Sequence, residues 1–329
     1  MSILIDVTWL IAGLLALYFG AEWLVNSAAK ISLKFGISPL VVGLTVVAFG
    51  TSAPELFVSL KFNSTGNPDM SLGNVVGSNI CNIGMVLGIS AFICTLFVKR
   101  SLLTRDMSVL VASSLLFSVL LWDGIFTRLE GILLFSIVVG YTIFRLKVSH
   151  LASEDAKLIE EEIGGPEEAF SAPNWKLALF VILGLVVLYL GSVALEKGGV
   201  SLAQNLGVPE ALISLTVIAF STSVPELATS IVASLKREGD LIVGNIVGSC
   251  LFNLLCVIGF TAIIKPIDIV HVHREDLFVM LAFTILLVPM MMTRRKISRI
   301  EGTILLLGYI TYCGYLWFER IDHQVPHAF

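Results

Sequence analysis

Two glutamates set in apolar surroundings carry the chemistry of this sequence. Glu55 lies in Gly50-Thr51-Ser52-Ala53-Pro54-Glu55-Leu56 and Glu226 in Ser221-Thr222-Ser223-Val224-Pro225-Glu226-Leu227. A carboxylate inside a membrane-length apolar run costs several kcal/mol unless a cation meets it, and no basic residue shares either run. Residues four apart share a helix face, so Thr51 projects with Glu55, and Thr222 with Glu226, with Ser52 and Ser223 beside them. On the next apolar run of each half, Ser78 pairs in the same way with Asn82, and Ser249 with Asn253. Pro54 and Pro225 lack an N–H, so the carbonyls of Gly50 and Ser221 lose their helical partners and the turn opens beside each carboxylate. Irregular backbone at membrane depth is tolerated where it is buried in protein or lines a water-filled cavity. The donors collected are all oxygen. Hard cations such as Ca2+ take about six to eight oxygens. No histidine or cysteine pair accompanies them, which argues against zinc or copper. Two carboxylates balance one divalent ion or at least two monovalent ones. That arithmetic suggests exchange of a divalent ion for monovalent ions or protons.

The two glutamates are 171 residues apart, and the same offset links Gly36 to Gly207, Gly73-Asn74 to Gly244-Asn245, Ser78 to Ser249 and Asn82 to Asn253. About 21 of about 53 ungapped positions are identical, which marks an internal duplication. Gly13, Tyr18 and Gly20 extend it to Gly184, Tyr189 and Gly191. The chance that serine, threonine and glycine serve only helix packing is high for any one of them. Packing does not explain why carboxylate, proline and hydroxyls recur together in both halves.

Hydrophobic residues make up 56% of the chain and charged residues 14%, with a mean hydropathy of +0.92. A soluble domain carries about 25% charged residues, so this is an integral membrane protein. Nothing in the charge pattern suggests nucleic acid. About ten apolar runs reach spanning length, over 8–29, 36–60, 71–98, 106–122, 125–146, 174–195, 208–235, 241–264, 275–292 and 300–319. The expected fold is an all-α membrane protein of about ten transmembrane helices in two inverted five-helix repeats. The expected division is residues 1–147, an acidic cytoplasmic linker over 148–173 with a short amphipathic helix, and residues 174–329. With ten spans, about 15 of the 21 lysines and arginines fall on one side, which the positive-inside bias makes cytoplasmic. Both termini then face outside. Five spans separate the motifs, so the second copy is inserted upside-down, an architecture of secondary transporters.

Other residues carry blander expectations. The five cysteines, Cys81, Cys94, Cys250, Cys256 and Cys313, read as small buried hydrophobes. Glu22 is expected to snorkel or pair near Lys30. His271 and His273 read as a solvated outside loop, and Asn63-Ser64-Thr65 matches a glycosylation acceptor.

The paired motifs Gly-Thr-Ser-Ala-Pro-Glu at 50–55 and Ser-Thr-Ser-Val-Pro-Glu at 221–226 resemble the two α-repeats of the cation/Ca2+ exchanger superfamily, and its Na+/Ca2+ exchanger branch most closely. The resemblance covers almost the whole chain. It implies antiport of Ca2+ against Na+ by alternating access, with ions held between the second, third, seventh and eighth spans. The ligands it implies are the Ala48 carbonyl, Thr51, Ser52, Glu55, Ser78 and Asn82, with the Ala219 carbonyl, Thr222, Ser223, Glu226, Ser249 and Asn253 in the second repeat. Asn253 stands where K+-dependent members carry aspartate, which argues against K+ co-transport. Ser221 replaces a glycine and Cys250 an asparagine of the usual motif. The short linker lacks room for Ca2+-sensing β-domains, so a minimal prokaryotic exchanger of the inner membrane is expected. The transported ions are substrates; no cofactor, protein partner or enzymatic activity is implied.

Two other transport readings use the same residues. A H+/Ca2+ antiporter would neutralise the same glutamates with protons; Ser52, Ser78, Ser223 and Ser249 favour Na+, which needs oxygens around it. A passive Ca2+ channel would more naturally arrange acidic side chains as a symmetric ring. An intramembrane enzyme would need a base beside its nucleophile, and no buried histidine offers one.

Overall fold

Backbone polar groups in apolar surroundings must find partners within the chain, which selects helices for segments this hydrophobic. The computed structural model describes residues 3–160, 173–206, 219–269 and 274–322. Its helices are α1 (Ile3–Phe35), α2 (Pro39–Thr51), α3 (Ala53–Ser64), α4 (Pro68–Ile93), α5 (Leu102–Asp123), α6 (Arg128–Glu160), α7 (Asn174–Asn205), α8 (Ala219–Leu235), α9 (Gly239–Ile264), α10 (Arg274–Met292) and α11 (Arg299–Asp322). Among the described residues seven helices are long and apolar enough to cross a membrane, and the bent pair α2–α3 makes an eighth. The chain is thus an all-helical, multi-pass membrane protein. Helix α8 is described only from Ala219, so most of the first half of the expected 208–235 span lies outside the described residues.

Between the helices, two-residue strands β1 (Leu96–Phe97) and β4 (Lys296–Ile297) pair antiparallel, as do β2 (Ile125–Phe126) and β3 (Ile267–Asp268). One expectation is corrected: the linker does not begin with a separate amphipathic helix, because α6 runs unbroken from Arg128 through Glu160. Positions 161–172 lie outside the described residues, as do His271 and His273.

Side-chain links sort the helix ends onto two faces. On one, Lys99 pairs with Asp240 at 2.6 Å, β1 meets β4, and Lys236 reaches Glu22 and Asn26 of α1. On the other, Asn63 and Lys265 bond each other's carbonyls, β2 meets β3, and Asn205 donates to Asp6. Glu22 therefore pairs with Lys236 at 3.5 Å rather than with Lys30. Asn63 is buried with its amide committed to the Lys265 carbonyl at 2.8 Å, so it is no glycosylation acceptor. Cys81, Cys250 and Cys256 are buried as expected, whereas Cys94 is half-buried and Cys313 exposed.

Helices α1 and α7 cross backbone to backbone. A Cβ built on Gly13 would lie 2.9 Å from the Gly191 carbonyl oxygen, and one on Gly20 would lie 2.9 Å from that of Gly184. Rising residue number on one helix meets falling number on the other, so these helices, equivalent by the 171-residue offset, run antiparallel. The braces between the halves obey the same offset. Thr127 and Glu130 form a reciprocal N-terminal cap on α6, as Ser298 and Glu301 do on α11. Arg128 donates to the Ile264 carbonyl, and Arg299 to that of Ile93.

At the centre lie α4 and α9. The apolar window of α9 is 100% buried and that of α4 is 78% buried, against 17% for α6, which faces outward. A charge pair within the fold was not foreseen. Arg145 of α6 is 3.0 Å from Asp106 of α5, both are buried, and the Tyr141 hydroxyl donates to the same carboxylate at 2.7 Å. Arg145 is thus a buried packing group rather than a solvated charge.

Candidate cation site

The elements that hold the two glutamates are bent for local reasons. Pro54 breaks the second apolar run: Ser52 leaves helical geometry at φ −87°, ψ 5°, and α2 and α3 meet at 41°. In the second half Pro225 sits inside a continuous α8, so the prolines do not act alike. The Ser221 carbonyl, which Pro225 deprives of its helical donor, accepts the Ser192 hydroxyl of α7 at 2.5 Å. One of its two lone pairs is therefore already engaged, where the symmetric expectation left the carbonyl open beside Glu226. The asymmetry is written in two residues, because Ser192 and Ser221 replace Ala21 and Gly50 of the first half. Two widened π-turns occupy Asn82–Val86 of α4 and Phe252–Val257 of α9. They begin at or beside Asn82 and Asn253, and such turns recur at functional sites because the extra residue per turn reorients side chains.

Glu55 and Glu226 are both fully buried. Ser52 donates to Glu226 Oε1 at 2.8 Å across the two halves, and Ser249 donates to the same oxygen at 3.4 Å. The hydroxyls of Ser223 and Ser78 meet at 3.3 Å. Thr51 donates to Asn245 Oδ1 at 3.3 Å, and Thr222 to Asn74 Oδ1 at 3.4 Å. Asn253 donates to Asn79 Oδ1 at 3.4 Å. The Ala48 carbonyl accepts from Ser52 N–H at 3.0 Å and keeps a second lone pair. Ala219 begins the described part of α8, on the same helix as Thr222 and Glu226. Of the oxygens that could meet a cation, both Glu55 carboxylate oxygens, Glu226 Oε2, Asn82 Oδ1 and Asn253 Oδ1 are buried without a hydrogen-bond donor.

That donor set fits a hard cation. Buried acceptors are nearly always satisfied, and an unpaired buried carboxylate is costly. None of the ion pairs formed between described residues involves Glu55 or Glu226; they join Lys99 to Asp240, Arg145 to Asp106 and Lys236 to Glu22. Charge-neutralising cations with flexible oxygen coordination satisfy this geometry.

Three site residues were missed from sequence alone. Asn74 and Asn245 touch the threonines of the opposite half, and their identity at the 171-residue offset was the available signal. Asn79 was also missed. It has no counterpart to flag it, because Cys250 stands at the equivalent position.

The sequence profile of the sodium/calcium exchanger protein family matches twice, over residues 5–147 and 176–318. The chain belongs to that family. As an exchanger it is a transporter and not an enzyme, and its ions are substrates rather than cofactors. Its likeness to relatives spans the whole length. CaxA of Alkalimonas amylolytica is 37% identical over 96% of this chain and 99% of its own. The inner membrane protein YrbG of Escherichia coli is 32% identical over 94% and 96%. The sodium/calcium exchanger MaX1 of Methanosarcina acetivorans is 27% identical over 94% and 97%. A solved structure of the sodium-calcium exchanger NCX_Mj, soaked with Na+ and Sr2+, superposes with a TM-score of 0.82 at 27% identity, covering 95% of this exchanger and 99% of that chain. The double profile match bears out the duplication, and these relatives bear out a cation/Ca2+ antiporter.

Proposed function

We propose that this protein exchanges Ca2+ for Na+ across the prokaryotic inner membrane by alternating access. One observation carries the reading: two buried glutamates, one from each half, face hydroxyl and amide oxygens with no basic side chain among the described residues to neutralise them. The ligands are the Ala48 carbonyl, Thr51, Ser52, Glu55, Ser78, Asn82, the Ala219 carbonyl, Thr222, Ser223, Glu226, Ser249 and Asn253. Na+ exchange is favoured over H+ exchange by the hydroxyls. A proton needs only the carboxylate, whereas Na+ must replace its water oxygens. The MaX1 relative is a named sodium/calcium exchanger, and the NCX_Mj structure carries the same description.

The decisive test is Ca2+ efflux from proteoliposomes against external Na+ at fixed pH, with a proton ionophore present. Efflux that ignores Na+ and follows a pH gradient installs the H+/Ca2+ antiporter instead. Efflux with neither gradient installs a channel. In the same vesicles, Ser78→Ala with Ser249→Ala should raise the Na+ concentration for half-maximal efflux more than the Ca2+ concentration. Each serine lies one helical turn from Asn82 or Asn253. An unchanged Na+ curve removes these serines from the Na+ ligands.

The membrane arrangement we propose is ten transmembrane helices in two inverted halves, 1–147 and 174–329, with both termini outside and the 148–173 linker cytoplasmic. The lysine and arginine bias, the antiparallel α1–α7 crossing and the two-face grouping of helix ends support it. Cysteines at Ser153 and His327, in a background without the five native cysteines, should divide under an impermeant thiol reagent on intact cells. Position 327 should label and position 153 should not; the reverse pattern overturns the orientation.

A further inference from the structure

We infer that Asn74 and Asn245 are positioning residues that turn the threonine hydroxyls of the opposite half, and that they tune the exchanger's competition for Na+. The inference rests on the Na+/Ca2+ reading above and deepens it. Both asparagines are buried, and they occupy equivalent places 171 residues apart. Each crosses to the other half: Asn245 of α9 receives Thr51 of α2, and Asn74 of α4 receives Thr222 of α8.

A threonine hydroxyl has one proton to give and two lone pairs to offer. In a helix its usual acceptor is a carbonyl three or four residues back. For Thr51 that acceptor is Ala48, whose oxygen lies 3.4 Å away, while Asn245 Oδ1 competes at 3.3 Å from the opposite side. The Ala48 carbonyl already accepts the Ser52 N–H at 3.0 Å. If Thr51 also gave it a proton, both its lone pairs would be spent. When Thr51 gives its proton to Asn245 instead, its own lone pairs and one Ala48 lone pair are left for an ion. The orientation of the Asn74 amide is fixed by its own donors, to the Glu55 carbonyl at 3.2 Å and the Ser59 hydroxyl at 2.9 Å, which leaves Oδ1 for Thr222. The same amide thus ties the backbone of Glu55 to the hydroxyl of Thr222, one group from each half. Amides suit this task better than carboxylates. They accept the proton without adding a third negative charge, which would favour the divalent ion over Na+.

Na+ gains more from these oxygens than Ca2+ does. The divalent ion is held chiefly by the two carboxylates, whereas a monovalent ion depends on the neutral oxygens for its coordination. Asn245→Ala should therefore raise the Na+ concentration for half-maximal Ca2+ efflux about fivefold, the scale of one lost hydrogen bond, with a smaller change in Ca2+ dependence. The distinguishing measurement is a double-mutant cycle. Thr51→Val removes the hydroxyl itself, so adding Asn245→Ala should worsen the Na+ curve no further. The pair Asn74→Ala with Thr222→Val repeats the test in the other half. The full-length chain is used throughout, in proteoliposomes with Na+ and Ca2+ as the only probes. A merely structural role would lower yield and thermal stability but leave the two changes multiplying in the Na+ curve. Multiplicative effects, an unchanged Na+ curve, or failure of both alanine variants to fold overturn the assignment while Na+-driven efflux by the unaltered protein stands. If the unaltered protein ignores Na+, the Na+ reading falls first and this one with it.

Discussion

Glu55→Gln and Glu226→Gln should each abolish the thermal stabilisation that Ca2+ gives the protein in detergent, and should abolish exchange, while raising the melting temperature measured without ions. The two effects have one cause. A buried carboxylate with no cationic side chain is costly in the ion-free protein, and a neutral amide of the same shape removes that cost. With Ca2+ bound the carboxylate becomes half of a charge pair, and removing one partner of a buried pair typically costs about 3–5 kcal/mol. The two glutamates should differ in degree. Glu226 Oε1 already accepts the Ser52 and Ser249 hydroxyls, which soften its isolation, whereas among the described residues neither Glu55 oxygen has a donor at hydrogen-bond distance. The gain in ion-free stability should therefore be larger for Glu55→Gln. Melting curves with and without Ca2+ read both quantities. A Gln variant that keeps the full Ca2+ shift removes that glutamate from the site.

One substitution at two repeat-equivalent glycines should give opposite results. Helix α2 packs on α9 through Gly43 and Gly244. A Cβ on Gly43 would lie 2.6 Å from the Leu241 carbonyl oxygen, and one on Gly244 would press closer still on the Leu40 carbonyl. Both obstacles are backbone, which cannot rotate away. Gly73, the counterpart of Gly244, is exposed and has nothing within 4 Å among the described residues. Overpacking a tight contact costs about 1–3 kcal/mol. At about 2–4 °C per kcal/mol, Gly244→Ala and Gly43→Ala should lower the melting midpoint by several degrees. Gly73→Ala should leave it within about a degree or raise it, because alanine is the better helix former. Equal losses at 73 and 244 would mean that Gly73 meets backbone as closely as Gly244 does.

The reach of the sequence follows from what repeats. Glu55 and Glu226, the hydroxyls around them and Asn82 and Asn253 were legible because chemistry and offset coincided at each. The apolar run lengths gave the helices, and the prolines gave the break at Ser52. Symmetry then misled where the halves differ. Pro225 leaves α8 unbroken, and the carbonyl it frees is taken by Ser192, a contact between helices that no single run displays. The linker's acidic composition suggested a helix of its own, but a span helix continues beyond the apolar run when nothing caps it, and α6 does so. The pairing of Arg145 with Asp106 was not legible, because the two lie 39 residues apart and only packing unites them. The asparagine–threonine contacts were written in the sequence as identities and overlooked, since glycine-rich helix surfaces carry many polar residues for packing alone.

The crossed strands bear on how such a chain is made. β1 closes only against β4, and β2 only against β3, so each half presents two open edges until the other arrives. Arg128 and Arg299 cap carbonyls at the end of a helix in the opposite half. While the ribosome is still translating the second half, the first is inserted but unfinished, its strand edges and the Ile93 carbonyl awaiting residues near 300. Each half alone therefore lacks partners for its strand edges and for one helix-end carbonyl. Two such halves, made as separate polypeptides, would find in each other the edges that each lacks.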